Sequence, residues 1–349
     1  MIRVAILGAS GYTGYELLRL LRHHGQVEIA ALGAHSNAGQ TMADLFGGLS
    51  TWQDLPPLQR LEEIDLTRLD VVFCALPHGT AAQTVHDLMG QQNLRLIVDL
   101  SNDHRLADYS AYQGMAGQHP YPHIAAQAVY GLSEWHRPAL ASARLIANPG
   151  CYPTSILLPL LPLLKAGWVD PNTIVANSAS GTSGGGRGPS QSQLHSEVSE
   201  NFRAYGLGGH RHGLEIDEQV TAVLPHPPLR KVVFNPHLLP MNRGILSTLT
   251  LTLTQGDAAG AQALLAQSYA GEPFVQVAPL GDSVTTKSVR GTNLCRLSVH
   301  ASVNADQILI TSVLDNLVKG AAGQAVQNMN LALGLDEGLG LSHQTALEP

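Results

Sequence analysis

The chain has 349 residues, more than one small core accommodates, and about 150 residues per domain points to two domains. Charged residues make up 13% and apolar residues 44%, while 35 Gly and 20 Pro fall short of a disordered or collagen-like composition, so an ordinary folded protein is expected. A formal charge of -7 without a Lys/Arg run argues against a surface for nucleic acid or an anionic membrane and leaves a small molecule as the expected partner.

The first residues, MIRVAILGAS, carry neither a basic flank nor a small-residue cleavage site, and nowhere do about 18 apolar residues follow one another. Neither a secretory signal nor a membrane span is read, and the cytoplasm is the expected compartment. The cysteines Cys74, Cys151 and Cys295 are widely separated, so no disulfide framework and no four-ligand metal site is expected.

Residues 1–148 alternate β-branched runs with helical patterns: IRVAIL (2–7), VEIAAL (27–32), DVVFCAL (70–76), LRLIVDL (94–100) and ARLIAN (143–148). Strands apolar on both faces and separated by helices predict a parallel sheet covered on both sides, a Rossmann-like half. Between Gly14 and His24 the leucines at 17, 18, 20 and 21 make a helical apolar face with Thr13 as its cap. After residue 149 a helix is expected over Thr154–Lys165, kinked by Pro159 and Pro162. A Gly/Ser loop, TSGGGRGPSQS, follows. ILSTLTLTLT (245–254) and LCRLSVHASV (294–303) alternate as antiparallel strands with one face covered. The strand QILIT leads into a final helix, SVLDNLVKGAAGQAVQNMNLAL, in which Gly320 and Gly323 each cost about 1 kcal/mol relative to Ala, so a close approach to its backbone is expected. The tail GLGLSHQTALEP has no periodicity and is expected to be mobile. The fold class is therefore α/β: a Rossmann-like domain, 1–148 plus 313–349, with an inserted α+β domain, 149–312.

GASGYTG (8–14) follows the first strand and opens the first helix, where a dinucleotide pyrophosphate would sit on Gly8, Ser10, Gly11, Tyr12, Thr13 and Gly14. Its G-x-x-G-x-x-G spacing is one residue wider than the usual fingerprint. The segment GAHSNAG after the second strand has no acid for the ribose hydroxyls of NAD, and His35 and Ser36 would meet a 2′-phosphate, so the cofactor read here is NADP. ANPGCYPT (147–154) puts Cys151 at the positive end of a helix, where a thiol tends toward the nucleophilic thiolate. Cys74 and Cys295 read as small buried hydrophobes. A nucleophilic cysteine needs a base, and GGHRHGLEIDEQ (208–219) supplies His210 and His212, which a strand would face the same way and a helix would splay.

Together GASGYTG, DLSNDHRL, VYGLSEW, ANPGCYPT, SGTSGGGRGP, GGHRHGLEI, FNPHLLPMNRGILST, KSVRGTNLC and SVLDNLVKGAAGQAVQNMN, which span residues 8–330, resemble the N-acetyl-γ-glutamyl-phosphate reductases of arginine biosynthesis, within the aspartate-semialdehyde dehydrogenase superfamily. The resemblance implies Cys151 as nucleophile, His212 as acid/base, His210 near the substrate, and phosphate or substrate contacts from Arg105, Ser180, Gly181 and Arg187. It also implies that Asn316 approaches the nicotinamide and that the protein is a homo-oligomer, a dimer or tetramer. The implied reaction is NADPH-dependent reduction of N-acetylglutamyl 5-phosphate to its semialdehyde through a cysteine thioester, with His212 as the general acid in its breakdown. The alternatives are a reductase of carrier-bound aminoadipyl phosphate, aspartate-semialdehyde dehydrogenase, whose Cys and His contexts differ from PGCYPT and HRH, and a non-catalytic NADP-binding regulator. The chain departs from the family pattern at His35, where Arg is frequent, at His104, where an aromatic is common, and at Ser133, where Pro is usual.

Overall fold

A computed structural model describes residues 1–52, 54–107, 109, 118–342, 345 and 346. The chain forms two compact units, one made of Met1–Pro149 and the chain returning from Ala321, the other of Gly150–Gly320. The stretch 313–320, expected with the cofactor domain, clusters with the second unit.

In the first unit, strands β1 (Ile2–Leu7), β2 (Val27–Gly33), β3 (Leu58–Gln59), β4 (Val71–Cys74), β5 (Leu96–Asp99), β6 (Val129–Tyr130) and β7 (Leu145–Ala147) form a sheet in the order β3-β2-β1-β4-β5-β7-β6. Every pair is parallel. The strand order reverses between β1 and β4, the position at whose carboxyl edge open α/β sheets bind ligands. Because all strands point one way, the segments after β1, β4, β5, β6 and β7 share that edge, and with them GASGYTG, DLSNDHRL, GLSEW and NPG. The first helix runs Tyr12–Leu21 rather than Gly14–His24. Its N-cap is Gly11, and Thr13 lies inside the first turn, so it does not cap. The leucines at 17, 18, 20 and 21 are buried, as their spacing predicts.

The returning segment differs from its sequence reading. Ser312, Val313 and Leu314 are strand, paired with residues of β11 (Ile245–Thr252), because tertiary pairing outweighs a weak helical pattern. A π-helical stretch, Val318–Ala322, then precedes the α-helix Gly323–Ala332. That helix buries Gln324 and Asn328 among partners of the first unit. Gln324 Nε2 donates to the Gly131 carbonyl (2.8 Å), and Asn328 Nδ2 donates to the Gly131 carbonyl (2.7 Å) and to Asn148 Oδ1 (3.1 Å). Ser133 Oγ donates to Asn328 Oδ1 (2.7 Å), which gives this departure from the family pattern a packing role. In the tail, Leu341 is buried and Leu341 and Ser342 N–H groups donate to the Gly338 carbonyl, so this part is packed; residues 343, 344 and 347–349 lie outside the described residues.

In the second unit, β8 (Val175–Ser180), β9 (Arg203–Ala204), β10 (Val233–Leu238), β11, β12 (Val275–Val277), β13 (Cys295–Ala301) and β14 (Gln307–Leu314) form a mixed sheet ordered β12-β13-β14-β11-β8-β10-β9. In β11 Ile245, Ser247, Leu249 and Leu251 are buried and alternate with half-buried residues, the period of a strand covered on one face. The covering helix is Cys151–Lys165, joined to the sheet by a chain of buried hydroxyls, Ser155 Oγ to Ser247 Oγ and Ser247 Oγ to Ser178 Oγ, both 2.7 Å.

That helix starts three residues before the predicted Thr154 and, as expected, runs on to Lys165 with both prolines inside it. Pro162 cannot donate to the Leu158 carbonyl one turn back. The Tyr269 hydroxyl donates to that carbonyl from helix Ala258–Ser268 and its C-terminal turn. Burial of nearly every residue from Tyr152 to Leu164 supplies the remaining stabilisation. Removing the hydroxyl leaves a buried carbonyl unsatisfied, so Tyr269→Phe is expected to destabilise the protein by about 1–3 kcal/mol. Denaturant unfolding reads this; an unchanged midpoint would show that the carbonyl needs no donor.

Candidate active site

Gly8 lies at φ +80, and a Cβ there would sit 2.2 Å from the Ala75 carbonyl oxygen. A Cβ at Gly14 would sit 2.5 Å from the Gly8 oxygen and 2.6 Å from Ala9 Cα. The protein's own packing therefore requires glycine at both positions. At Gly11 a Cβ would meet only the Gly8 oxygen at 3.4 Å, so the protein's own packing does not require glycine there. Gly11 offers no side-chain acceptor to the helix that follows, and the first-turn N–H groups of Tyr12, Thr13 and Gly14 have no place in the helical ladder. Donors at a helix start suit an anionic diphosphate, so the residues present fit a dinucleotide. Ser10 is half-buried in the turn and Tyr12 is exposed. Beyond β2, His35 and Ser36 are exposed, and the Ser36 hydroxyl donates to Asn37 Oδ1 at 3.3 Å.

DLSNDHRL acts as a lock on the carboxyl edge of this sheet. The Asp99 carboxylate accepts from Ser101 N (2.9 Å) and Oγ (2.8 Å) and pairs with His104 Nδ1 (2.6 Å), all of them buried. Asp103 accepts from Gly79 N (2.9 Å) and Ala82 N (3.1 Å), which caps the start of helix Ala81–Met89. Arg105, 7% exposed, donates from Nε to the Asn148 carbonyl (2.8 Å) and from Nη2 to the Leu100 carbonyl (2.9 Å). Two of its five donors thus hold the exits of β5 and β7, a structural duty its sequence context did not reveal.

Cys151 is the first residue of helix Cys151–Lys165, with Gly150 as an N-cap that makes no side-chain bond. It is half-buried, whereas Cys74 and Cys295 are fully buried, as read from their strand contexts. Burial, and then the charge of Asp99, pushes the Cys74 thiol well up, away from reactivity. Gly320 in the π-helical stretch passes so close that a Cβ there would lie 2.8 Å from Cys151 Cβ, the close approach its glycine signalled.

The histidine run resolves into neither a strand nor a plain helix. His210 is the N-cap of helix Arg211–Val223, and its Nδ1 accepts from the His212 N–H at 3.2 Å. Accepting at Nδ1 places the proton of the neutral ring on Nε2. Burial, reinforced by the charge of Arg211, depresses His210 to about 4, so the ring is neutral near pH 7. His212, 6% exposed, stands with its ring centroid 4.8 Å from that of His210 and 5.8 Å from that of Tyr152. The helix bearing His212 packs against the helix bearing Cys151, which brings the two predicted catalytic residues into the same helix pair.

Several residues here carried no signal of their own in the sequence. The Tyr152 hydroxyl lies 3.0 Å from the Tyr205 hydroxyl and donates to the His237 carbonyl, also at 3.0 Å. Burial, followed by Tyr205, raises Tyr152 far above an ordinary phenol, so it stays protonated. Glu215, one turn beyond His212, accepts the Gly150 N–H at 2.8 Å. Ser180 ends β8 and is buried, and its hydroxyl donates to the Gly181 carbonyl at 3.0 Å. A Cβ at Gly181 would lie 2.5 Å from the Asn242 oxygen. Arg187 is exposed beyond this turn. Asn316 is buried where Oδ1 accepts from Gly244 N (2.7 Å) and Nδ2 donates to Ser183 Oγ (2.9 Å), so it braces the Gly/Ser loop.

Two family models match the chain: the semialdehyde dehydrogenase NAD binding domain over residues 3–143 and the semialdehyde dehydrogenase dimerisation domain over residues 151–316. The second match points to self-association. A Rhodospirillum rubrum protein named N-acetyl-gamma-glutamyl-phosphate reductase is 51% identical over 98% of both chains. One of the same name from Saccharophagus degradans is 46% identical over 99% of this chain and all of its own. Among solved structures, aspartate semialdehyde dehydrogenase II of Vibrio cholerae shares the fold at a TM-score of 0.73 and 17% identity, over 96% of this chain and 98% of that one. No helix among the described residues is long and apolar enough to cross a membrane.

Proposed function

The chain belongs to the N-acetyl-gamma-glutamyl-phosphate reductase family, and from this premise we propose that it reduces N-acetylglutamyl 5-phosphate to the 5-semialdehyde with release of phosphate, with Cys151 and His212 as its catalytic pair. The observation that carries the reading is a half-buried thiol at the first position of a helix, beside a second helix whose first turn holds His212. Helix N-terminal N–H groups favour the thiolate.

His212 takes the Cys151 proton and the sulfur attacks the acyl carbon. The carbon–oxygen bond to phosphate breaks as His212 gives that proton to the leaving oxygen, and a thioester remains on Cys151. NADPH, when bound, supplies the hydride that reduces this carbonyl. The resulting oxyanion collapses, the carbon–sulfur bond breaks and the aldehyde leaves, and His212, neutral after protonating the phosphate, relays a proton from water to the sulfur. The neutral His210 with its proton on Nε2 offers a donor without adding charge, while Tyr152 and Tyr205 stay protonated and bonded within the protein. Arg187 and Arg105 are the proposed phosphate or substrate contacts, each a guanidinium whose fork of donors suits an anion. Asn316 commits one of its two amide hydrogens to Ser183, and the other serves the nicotinamide.

The turn Gly8–Gly14 would hold the diphosphate, and His35 and Ser36 the 2′-phosphate that makes NADP the preferred cofactor. The relatives' names favour the N-acetylglutamyl substrate over carrier-bound aminoadipyl phosphate, and a regulator without chemistry has no use for Cys151 beside His212. The test runs the reaction backward: purified protein with N-acetylglutamate 5-semialdehyde and phosphate, NADP and NAD side by side. NADPH formation is expected, faster than NADH formation by at least about tenfold, a difference of about 1.4 kcal/mol. Turnover with aspartate semialdehyde but not with the N-acetylglutamyl aldehyde would overturn the assignment.

A further inference from the structure

Gly150 caps the helix that presents Cys151, yet it has no side chain to fix the first turn. Its carbonyl is held from inside that helix, by Thr154 N (3.0 Å) and Thr154 Oγ1 (3.2 Å). Its N–H is held from outside, by Glu215 Oε1 at 2.8 Å. In a capping box a carboxylate three residues along the same helix reaches back to the N-cap N–H. Here a neighbouring helix supplies that carboxylate. Glu215 is 1% exposed, so the bond forms away from competing water.

Glu215 also stands three residues after His212, on the same side of helix Arg211–Val223. One side chain therefore ties the backbone immediately before the thiol to the turn that carries its acid/base. We propose that Glu215 is a positioning residue: its carboxylate oxygen, accepting from Gly150, sets the first turn under Cys151 and with it the register between the sulfur and His212. Accepting the N–H is what matters, so an uncharged acceptor of the same shape suffices.

The inference rests on Cys151 being the nucleophile, and the experiment separates the two. Three forms are compared: wild type, Glu215→Gln, which keeps an oxygen acceptor, and Glu215→Met, which conserves volume and removes it. The readouts are the rate of Cys151 alkylation by iodoacetamide, followed by peptide mass spectrometry, and kcat and KM in the aldehyde-oxidation assay; NADP affinity and circular dichroism confirm a folded protein. Glu215→Met is expected to lower both alkylation rate and kcat by about tenfold or more with KM little changed, since misplacing a reacting group costs rate steeply. Glu215→Gln is expected to restore both to within about threefold of wild type, a rescue that a requirement for charge would not allow. If Glu215→Met falls out of the soluble fraction, Glu215→Gln alone decides. A tenfold loss in folded Glu215→Gln, or wild-type rates in Glu215→Met, overturns the proposal. If wild-type Cys151 is not the residue alkylated first, the reading of the nucleophile fails instead.

Discussion

Cys151→Ser is expected to lower acyl-phosphate reduction by at least about 10⁴-fold, the scale on which enzymes lose rate when a covalent nucleophile is removed. A serine hydroxyl at the start of helix Cys151–Lys165 stays protonated at neutral pH, and the donors that favour a thiolate are too weak to ionise it. The dinucleotide turn belongs to the other compact unit, so cofactor binding, read by nicotinamide fluorescence, is expected to persist in the variant. Cys74→Ser and Cys295→Ser serve as the comparison. Cys295 is buried on β13 with its sulfur 3.4 Å from Ser312 Oγ, and Cys74 is enclosed in β4 with its thiol pushed well up by burial. Variants at these two positions that fold are expected to keep near-normal turnover. Retention of turnover in Cys151→Ser, or first labelling of Cys74 or Cys295 by iodoacetamide, would contradict the assignment.

His212→Asn is expected to lower kcat by about 10²–10⁴-fold, the usual effect of removing a general acid or base. His210→Asn is expected to act differently. Asn is a good N-cap, so the cap on the His212 N–H is kept while the Nε2 donor is lost, and the effect should fall on KM. The pH dependence follows from the depressed His210 value of about 4. Above that pH the ring is neutral, so the KM penalty of His210→Asn should be the same at pH 6 and pH 8. Stability obeys the same linkage: burying a neutral ring is fully favourable above the unfolded value near 6.5 and is lost as pH falls toward 4. Steady-state kinetics of both variants decide it. Equal kcat losses with unchanged KM in both would remove the division of roles.

What was legible in the sequence follows physical lines. Five of the parallel strands, β1, β2, β4, β5 and β7, announce themselves because burial on both faces demands apolar, β-branched runs, and each lies within a residue or two of its expected place. β3, β6 and β9 have two residues each, too few to carry a period. The last helix starts later than its pattern predicts because Ser312–Leu314 fits strand or helix alike, and pairing with β11 and β13 decides between them. Within the site, Cys151 and His212 stand out as local motifs. Glu215 and Tyr152 do not, because their partners lie 65 and 53 residues away in sequence and the contact exists only once the sheet and helices are assembled, whereas Asn316 is singled out by the family resemblance. Arg105 is the instructive case: its motif suggests an anion site, and the fold also assigns it two carbonyls.

The thioester is the point on which the account turns, and it can be observed directly. The protein is mixed with N-acetylglutamyl 5-phosphate without nicotinamide cofactor, quenched in acid, digested and read by mass spectrometry. The prediction is one N-acetylglutamyl group on the peptide containing Cys151, released by hydroxylamine and absent from Cys151→Ser. Failure to find that adduct, in a preparation that turns over when NADPH is supplied, or its appearance on another residue, would contradict the mechanism.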